Sequence, residues 1–334
     1  MKIEHHTGEL TPELIELADA YEFKPYYYVT AAPDEGLCKI FRDRLNKFLT
    51  QATSKPQNAG FLVAKDDSGK PVGFCGVQVL DFDTAVLGIP SGKINFCVVG
   101  PSGREDYHTA RERANALIGT AMDWLSERNV AFTNVRTTAW ELPVTHALEK
   151  SGFVFVDNGI TAFWHKDNFN KYEKGGYDIR LFAGKDLPDV LEIMKGAYST
   201  DRFHLDPNIP HDKAEELYQL WIKSSCLDPH DQEWVLIAER KGVIKGFFQY
   251  EYNREFSEAT DIGLFSYGPA AVVRDRTSLG AYYSLLSFAV DDSVMRGGSY
   301  AMTRIPFGIQ PILKLTLRLG PSFMTNDLTF HHWK

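Results

Sequence analysis

Gly60-Phe-Leu-Val-Ala-Lys-Asp-Asp-Ser-Gly-Lys-Pro-Val-Gly-Phe74 returns in outline as Trp234-Val-Leu-Ile-Ala-Glu-Arg-Lys-Gly-Val-Ile-Lys-Gly-Phe247. Each copy reads as an apolar β-rich run, a polar turn, and a second run entered through Gly-Phe, which is the pattern of a β-hairpin. Gly73 and Gly246 stand 173 residues apart. The helix-like endings Leu148-Glu-Lys-Ser-Gly152 and Leu317-Arg-Leu-Gly320 stand 168 apart. A period of that length is too long for a stacked solenoid and suits two copies of one domain.

Outward from the hairpins, hydrophobic periodicity predicts the same series of elements twice. In the first copy these are a strand over Met1–His6, helices over Leu10–Tyr21 and Leu37–Thr50, the hairpin Phe61–Lys65 and Val72–Val79, and a strand over Lys93–Val99. A long helix follows over Ala110–Arg128, then a strand over Phe132–Thr138, a short helix over Val144–Lys150, and closing strands over Phe153–Trp164. The second copy runs through Tyr177–Phe182, Lys185–Tyr198, Asp212–Cys226, Trp234–Glu239, Val243–Tyr252, Ile262–Ser266, Leu279–Met295, Ala301–Ile305, Pro311–Leu319 and Phe323–Trp333. The expected domains are 1–168 and 177–334, joined through the polar stretch Asn168–Gly176.

The chain has 334 residues, enough for two cores of ordinary size, and 44% of them are apolar. A net charge of −8 argues against a nucleic-acid partner. Cys38, Cys75, Cys97 and Cys226 are scattered without a CxxC pair, which points to reduced, cytoplasmic usage and no metal or disulfide framework. The polar N-terminus and the lack of an 18-residue apolar run predict no signal peptide and no membrane association.

The order β-α-α-β-β-β-α-β-α-β resembles the GCN5-related N-acetyltransferase (GNAT) fold, and Ala147-Leu-Glu-Lys-Ser-Gly-Phe153 matches that family's final helix. The resemblance implies a mixed α/β (α+β) sheet fold built as two tandem GNAT domains, with acetyl-CoA as acyl donor. Two stretches are similar to the TDP-fucosamine (dTDP-4-amino-4,6-dideoxygalactose) acetyltransferase group: Leu80–Ile94, and Asp201-Arg-Phe-His-Leu-Asp-Pro leading into Ala214–Ser225. That likeness implies an acceptor amine on a nucleotide-linked amino sugar such as a dTDP-sugar, with the second copy catalytic. Another small-molecule amine (an aminoglycoside or an amino-acid-like metabolite) and a non-catalytic acyl-CoA-binding protein are the alternatives. Either a monomer or a homodimer fits.

The family's CoA loop has a glycine-rich pattern that neither copy keeps intact. The second copy offers Arg274-Asp-Arg-Thr-Ser-Leu-Gly-Ala281, so Arg274, Arg276, Ser278, Leu279, Gly280 and Ala281 are the expected cofactor contacts. Glycine permits close backbone approach, and arginine supplies charge to a pyrophosphate at a helix N-terminus. On that basis Gly280→Glu is expected to abolish CoA binding without unfolding the chain. The family's acid, a tyrosine in the last helix, aligns with Thr316 in the second copy and Leu148 in the first, so the resemblance supplies no proton donor. An amine must lose a proton before it attacks. Glu251 and His204 are the candidate bases and Tyr267 the candidate phenolic acid. Trp140 in Trp140-Glu-Leu-Pro143 ends a strand beside the first-copy cleft and suits stacking on a base or sugar and simple packing equally.

Overall fold

A computed structural model describes residues 1–100, 106–170, 175–275 and 280–334. The first half of the chain forms β1 (Lys2–His5), α1 (Pro12–Asp19), α2 (Asp34–Ser54), β2 (Ala59–Lys65), β3 (Pro71–Val79), α3 (Asp81–Leu87), β4 (Ser91–Val99), α4 (Tyr107–Glu127), β5 (Phe132–Thr138) and α5 (Leu142–Lys150). After β6 (Val154–His165) come β7 (Asp178–Leu181), α6 (Leu187–Met194), α7 (His211–Leu227), β8 (Glu233–Arg240) and β9 (Val243–Tyr252). Then follow α8 (Arg254–Thr260), β10 (Leu264–Val272), α9 (Ala281–Met295), β11 (Tyr300–Pro306), α10 (Gln310–Arg318) and β12 (Phe323–Trp333). The repeat extends to one element absent from the expected order, a short helix between the hairpin and the next strand: α3 in the first copy and α8 in the second. Asn253 caps α8 by accepting the Phe256 N–H at 3.1 Å.

Two compact units result, and their borders differ from the expected 1–168 and 177–334. The first comprises Met1–Asn158 with Asn326–Lys334, the second Gly159–Thr325. The first unit's strands run β1-β2-β3-β4-β5-β12, and the second's run in the equivalent order β7-β8-β9-β10-β11-β6. Among the described residues, only the β4/β5 pair of the first unit and the β10/β11 pair of the second are parallel. The place beside β5 is filled from the far end of the sequence, by β12, with Thr138 opposite Asp327 and Phe132 opposite Trp333. The place beside β11 is filled from the first half, by β6. Leu328 and Phe330, written in the second copy, thus pack into the first unit's core.

Strand alternation divides each sheet into two apolar faces. In the first unit Leu62, Ala64, Cys75, Val77 and Cys97 meet α4 and α5, while Phe61, Val63, Phe74 and Val98 meet α1 and α2. In the second, Leu236, Ala238, Phe248 and Tyr250 meet α9, and Val235, Ile237 and Phe247 meet α6 and α7. The repeated glycines sit where strand, neighbour and helix crowd. A β-carbon on Gly73 would lie 2.9 Å from the Val98 carbonyl and 3.1 Å from Leu117 of α4. One on Gly246 would lie 2.8 Å from the Ala271 carbonyl and 3.3 Å from Leu285 of α9. The same packing constraint is therefore written twice.

Candidate active site

The parallel strands of each unit part company after four paired residues. β5 pairs with β4 over Ser91–Ile94 only, and β11 with β10 over Leu264–Tyr267 only. Beyond those points the strands splay, and a cleft of about 390 Å³ opens in each unit. In the first unit it is lined by Tyr21, Glu22, Phe23, Tyr27, Val99, Ala110, Trp140, Glu141 and Pro143. In the second the lining includes Tyr198, Thr200, Gly268, Val272, Arg274, Tyr282, Arg304, Ile309 and Pro311.

The two clefts are built alike and furnished differently. Glu141 is the N-cap residue of α5, with φ −85° and ψ 63°, and Pro143 follows in the first turn. Ile309 is the N-cap residue of α10, with φ −85° and ψ 67°, and Pro311 follows in its first turn. One backbone position thus carries a carboxyl group in the first cleft and a branched hydrocarbon in the second. Among the described residues, the second cleft's lining contains no carboxylate.

Glu141 is 7% exposed. Thr137 Oγ1 donates to its Oε2 at 3.0 Å, and the Tyr21 hydroxyl also hydrogen-bonds it. Burial opposes its ionisation more strongly than those two bonds favour it, and its pKa is pushed up to about 7. Tyr21 in turn is held far above its ordinary value by burial and by the Glu141 charge. Tyr27 contacts Thr138 Oγ1 at 3.1 Å at the end of β5. Trp140 leaves 70% of its surface open at the rim.

The residues expected from sequence fall in several places. Gly280, in the left-handed region at φ 91°, caps α9, and Ala281 is buried at its first turn. Arg274 lines the second cleft and donates to the Gly196 carbonyl. Arg276, Ser278 and Leu279 lie outside the described residues, as does the first copy's loop over 101–105. At Gly280 any β-carbon is strained whatever the space around it, so Gly280→Glu does not separate binding from folding as expected.

Tyr267 belongs to the core rather than to the cleft lining. It touches Ser293 Oγ at 3.4 Å and packs edge-on against Phe248, and burial holds its hydroxyl far above the usual range. Glu251 stands on β9 opposite Glu233, half-buried, its pKa raised by burial and by that neighbouring charge. His204 lies in the loop before α7, where Nδ1 is bonded to Asp201 Oδ2. Burial works to lower its pKa, but Asp201 and Glu215 outweigh it and leave the imidazole above its ordinary value. Glu251, Tyr267 and His204 are not brought together in either cleft. Thr316 and Leu148 are both buried and line neither. The residue that sequence reasoning passed over is Glu141, in the very Trp140–Pro143 stretch it singled out for the tryptophan. A carboxylate one residue before a Leu-Pro helix start was the available signal.

No protein-family model matches this chain, and no curated protein matches its sequence. Solved structures do match its fold along its whole length. A tandem GNAT protein from the clavulanic acid biosynthesis pathway is 12% identical, covers 99% of this chain and 98% of its own, and gives a TM-score of 0.59. The fold is that of a tandem GNAT protein. A GCN5-related N-acetyltransferase from Sphaerobacter thermophilus is 13% identical, with 99% and 95% covered and a TM-score of 0.60. A glucosamine N-acetyltransferase region of a fungal multi-domain GH3 β-N-acetylglucosaminidase is 12% identical, with a TM-score of 0.61, and this chain spans 38% of that longer one. Among the described residues no helix is long and apolar enough to cross a membrane.

Proposed function

We propose that this chain is an acyl-CoA-dependent N-acyltransferase that acetylates a small-molecule amine, with the chemistry in the first unit's cleft and Glu141 as general base. The observation that carries this is the carboxyl group held at the N-cap of α5, in a cleft whose twin has Ile309 at the same backbone position. A base works best with a pKa near the operating pH, and burial brings Glu141 to about 7. In this reading the acceptor amine gives its proton to Glu141 and its nitrogen attacks the thioester carbonyl. The C–S bond then breaks, and the CoA thiolate takes a proton from Tyr27 or from water. β4 beyond Ile94 is paired on its β3 side and released by β5, which leaves backbone N–H groups to polarise the thioester oxygen.

The acceptor we favour is an amino sugar on a nucleotide carrier, such as a dTDP-amino sugar. The exposed indole of Trp140 supports this, as a stacking platform for a base or a sugar ring. The similarity to the TDP-fucosamine acetyltransferase group and the amino-sugar acceptor named for the fungal structure agree with it. The second cleft, lined by Arg274 and, among the described residues, by no carboxylate, suits binding of acyl-CoA without turnover. The test is release of free CoA from acetyl-CoA over a panel of amino sugars, free and nucleotide-linked, by wild type, Glu141→Gln and Ile309→Glu. Loss of about 10²–10⁴-fold in kcat/KM in Glu141→Gln alone supports the assignment. Equal turnover by wild type and Glu141→Gln refutes it.

A further inference from the structure

The loop between α6 and α7 carries a group of side chains that the acyl-transfer reading does not use. His204 is almost wholly enclosed, its side chain 1% exposed. Its Nδ1 is held by Asp201, itself buried and further fixed by accepting the Phe203 N–H at 3.0 Å. Among the described residues its Nε2 has no hydrogen-bond partner nearer than the Glu215 Oε1 it faces at 3.5 Å. His211 and Glu215 occupy one face of α7 a turn apart, and the His211 ring lies 4.8 Å from that of His204, centroid to centroid. One donor atom from each of the three residues falls within 4.8 Å of the others.

We infer that His204 Nε2, His211 and Glu215 form a site for a divalent transition-metal ion of the zinc class. Two imidazoles and a carboxylate suit zinc and its neighbours rather than calcium or magnesium, which prefer all-oxygen shells. Bonds of about 2.0–2.1 Å in a tetrahedral shell put donors about 3.4 Å apart, close to the existing His204–Glu215 separation. His211, exposed at the first position of α7, has the freedom to close the remaining distance. The Asp201 carboxylate on Nδ1 is the arrangement that fixes the tautomer and aims Nε2 at a metal. Water fills the fourth position.

The ion would act on the wall of the second cleft. The Gly196 N–H donates to both Glu215 oxygens at 3.0 Å, and the Gly196 carbonyl accepts from Arg274. The next residues, Ala197–Thr200, line that cleft. Metal on Glu215 and His204 pins both ends of this segment to α7, so the wall becomes a fixed surface.

The experiment uses the whole chain, stripped with a chelator and titrated with Co²⁺ by visible absorption and with Zn²⁺ by calorimetry. One equivalent per chain is expected, with the intense d–d bands of four- or five-coordinate Co²⁺. Slower hydrogen exchange should follow in residues 197–204. His211→Ala and Glu215→Gln, both outside the core, should each weaken Zn²⁺ binding at least 10-fold. Asp201→Asn should weaken it about 10–100-fold with Co²⁺ bands altered rather than lost. No uptake at micromolar Zn²⁺ overturns the proposal. Uptake unchanged in both His211→Ala and Glu215→Gln also overturns it, and would place the ion elsewhere, the His5–His6 pair being the next donors to remove.

Discussion

Replacing Glu141 by Gln should make the first unit more stable at alkaline pH and change little at acid pH. The carboxyl group is neutral in the folded state up to about pH 7, whereas in the unfolded chain it ionises at an ordinary 4.5. Between those values the folded state holds the extra proton, so stability falls as pH rises through that window. The gap of about 2.5 pH units, at 1.36 kcal/mol each, corresponds to about 3 kcal/mol lost by pH 8. Gln keeps the shape and the Thr137 hydrogen bond but has no charge to bury. The stability difference, Gln minus wild type, should therefore climb by about 3 kcal/mol from pH 4.5 to pH 8 and then level off. Hydrogen exchange in graded urea, read on β4 and β5 peptides, assigns the effect to the first unit, and effects of pH common to both proteins cancel. A difference flat within about 0.5 kcal/mol over that range would refute the burial argument, and with it the reason for giving Glu141 a near-neutral pKa. The sign matters for function too, since a chain that tolerates such a cost where its other copy has isoleucine is trading stability for a titratable group.

The same carboxyl should control activity: kcat/KM with an amine acceptor should rise with pH through about 7, and the Glu141 limb should vanish in Glu141→Gln, as measured by CoA release. Gly73→Ala and Gly246→Ala should each cost about 1–3 kcal/mol, because a β-carbon at either glycine meets a neighbouring strand's carbonyl. Exchange mapping should find the first loss in Met1–Asn158 and the second in Gly159–Thr325. Phe330→Ala should cost about 3–5 kcal/mol and loosen the first unit, although position 330 is written in the second copy. Asp186→Asn should flatten the acid limb of the second unit's stability. The Arg180 guanidinium holds that carboxyl below the usual range, so its contribution is present above about pH 4 and disappears as pH falls through the folded value.

Much of this architecture was legible because it rests on local pattern. Short continuous apolar runs at Phe61–Lys65 and Trp234–Glu239, each closed by a polar turn, and the long apolar stripe of Ala110–Arg128 each specify an element alone, and the recurrence of the hairpin specifies two copies. Helices α3 and α8 escaped because seven residues give too little periodicity to read. The exchange of β6 and β12 escaped for a different reason. A strand's sequence states which face is buried but not which sheet will take it. The site was less legible than the fold. Tyr267 carries a functional group at a plausible spot on the chain, yet alternation turns it into the aromatic core. Glu141 offers only a carboxylate ahead of a Leu-Pro pair, and its raised pKa comes from burial that outweighs the hydrogen bond from Tyr21, 120 positions away in sequence.

The strand exchange also sets an order of manufacture. Once Thr325 has been synthesised, the second unit possesses every residue it needs, while the first still lacks Asn326–Lys334. The half of the protein that is written first is therefore finished last. Meanwhile β5 presents an unpaired edge, and the loop that must close to cover it spans the whole second unit. Two nascent chains held close together can supply each other's missing strand, so exchanged dimers are the expected by-product of crowded, rapid synthesis.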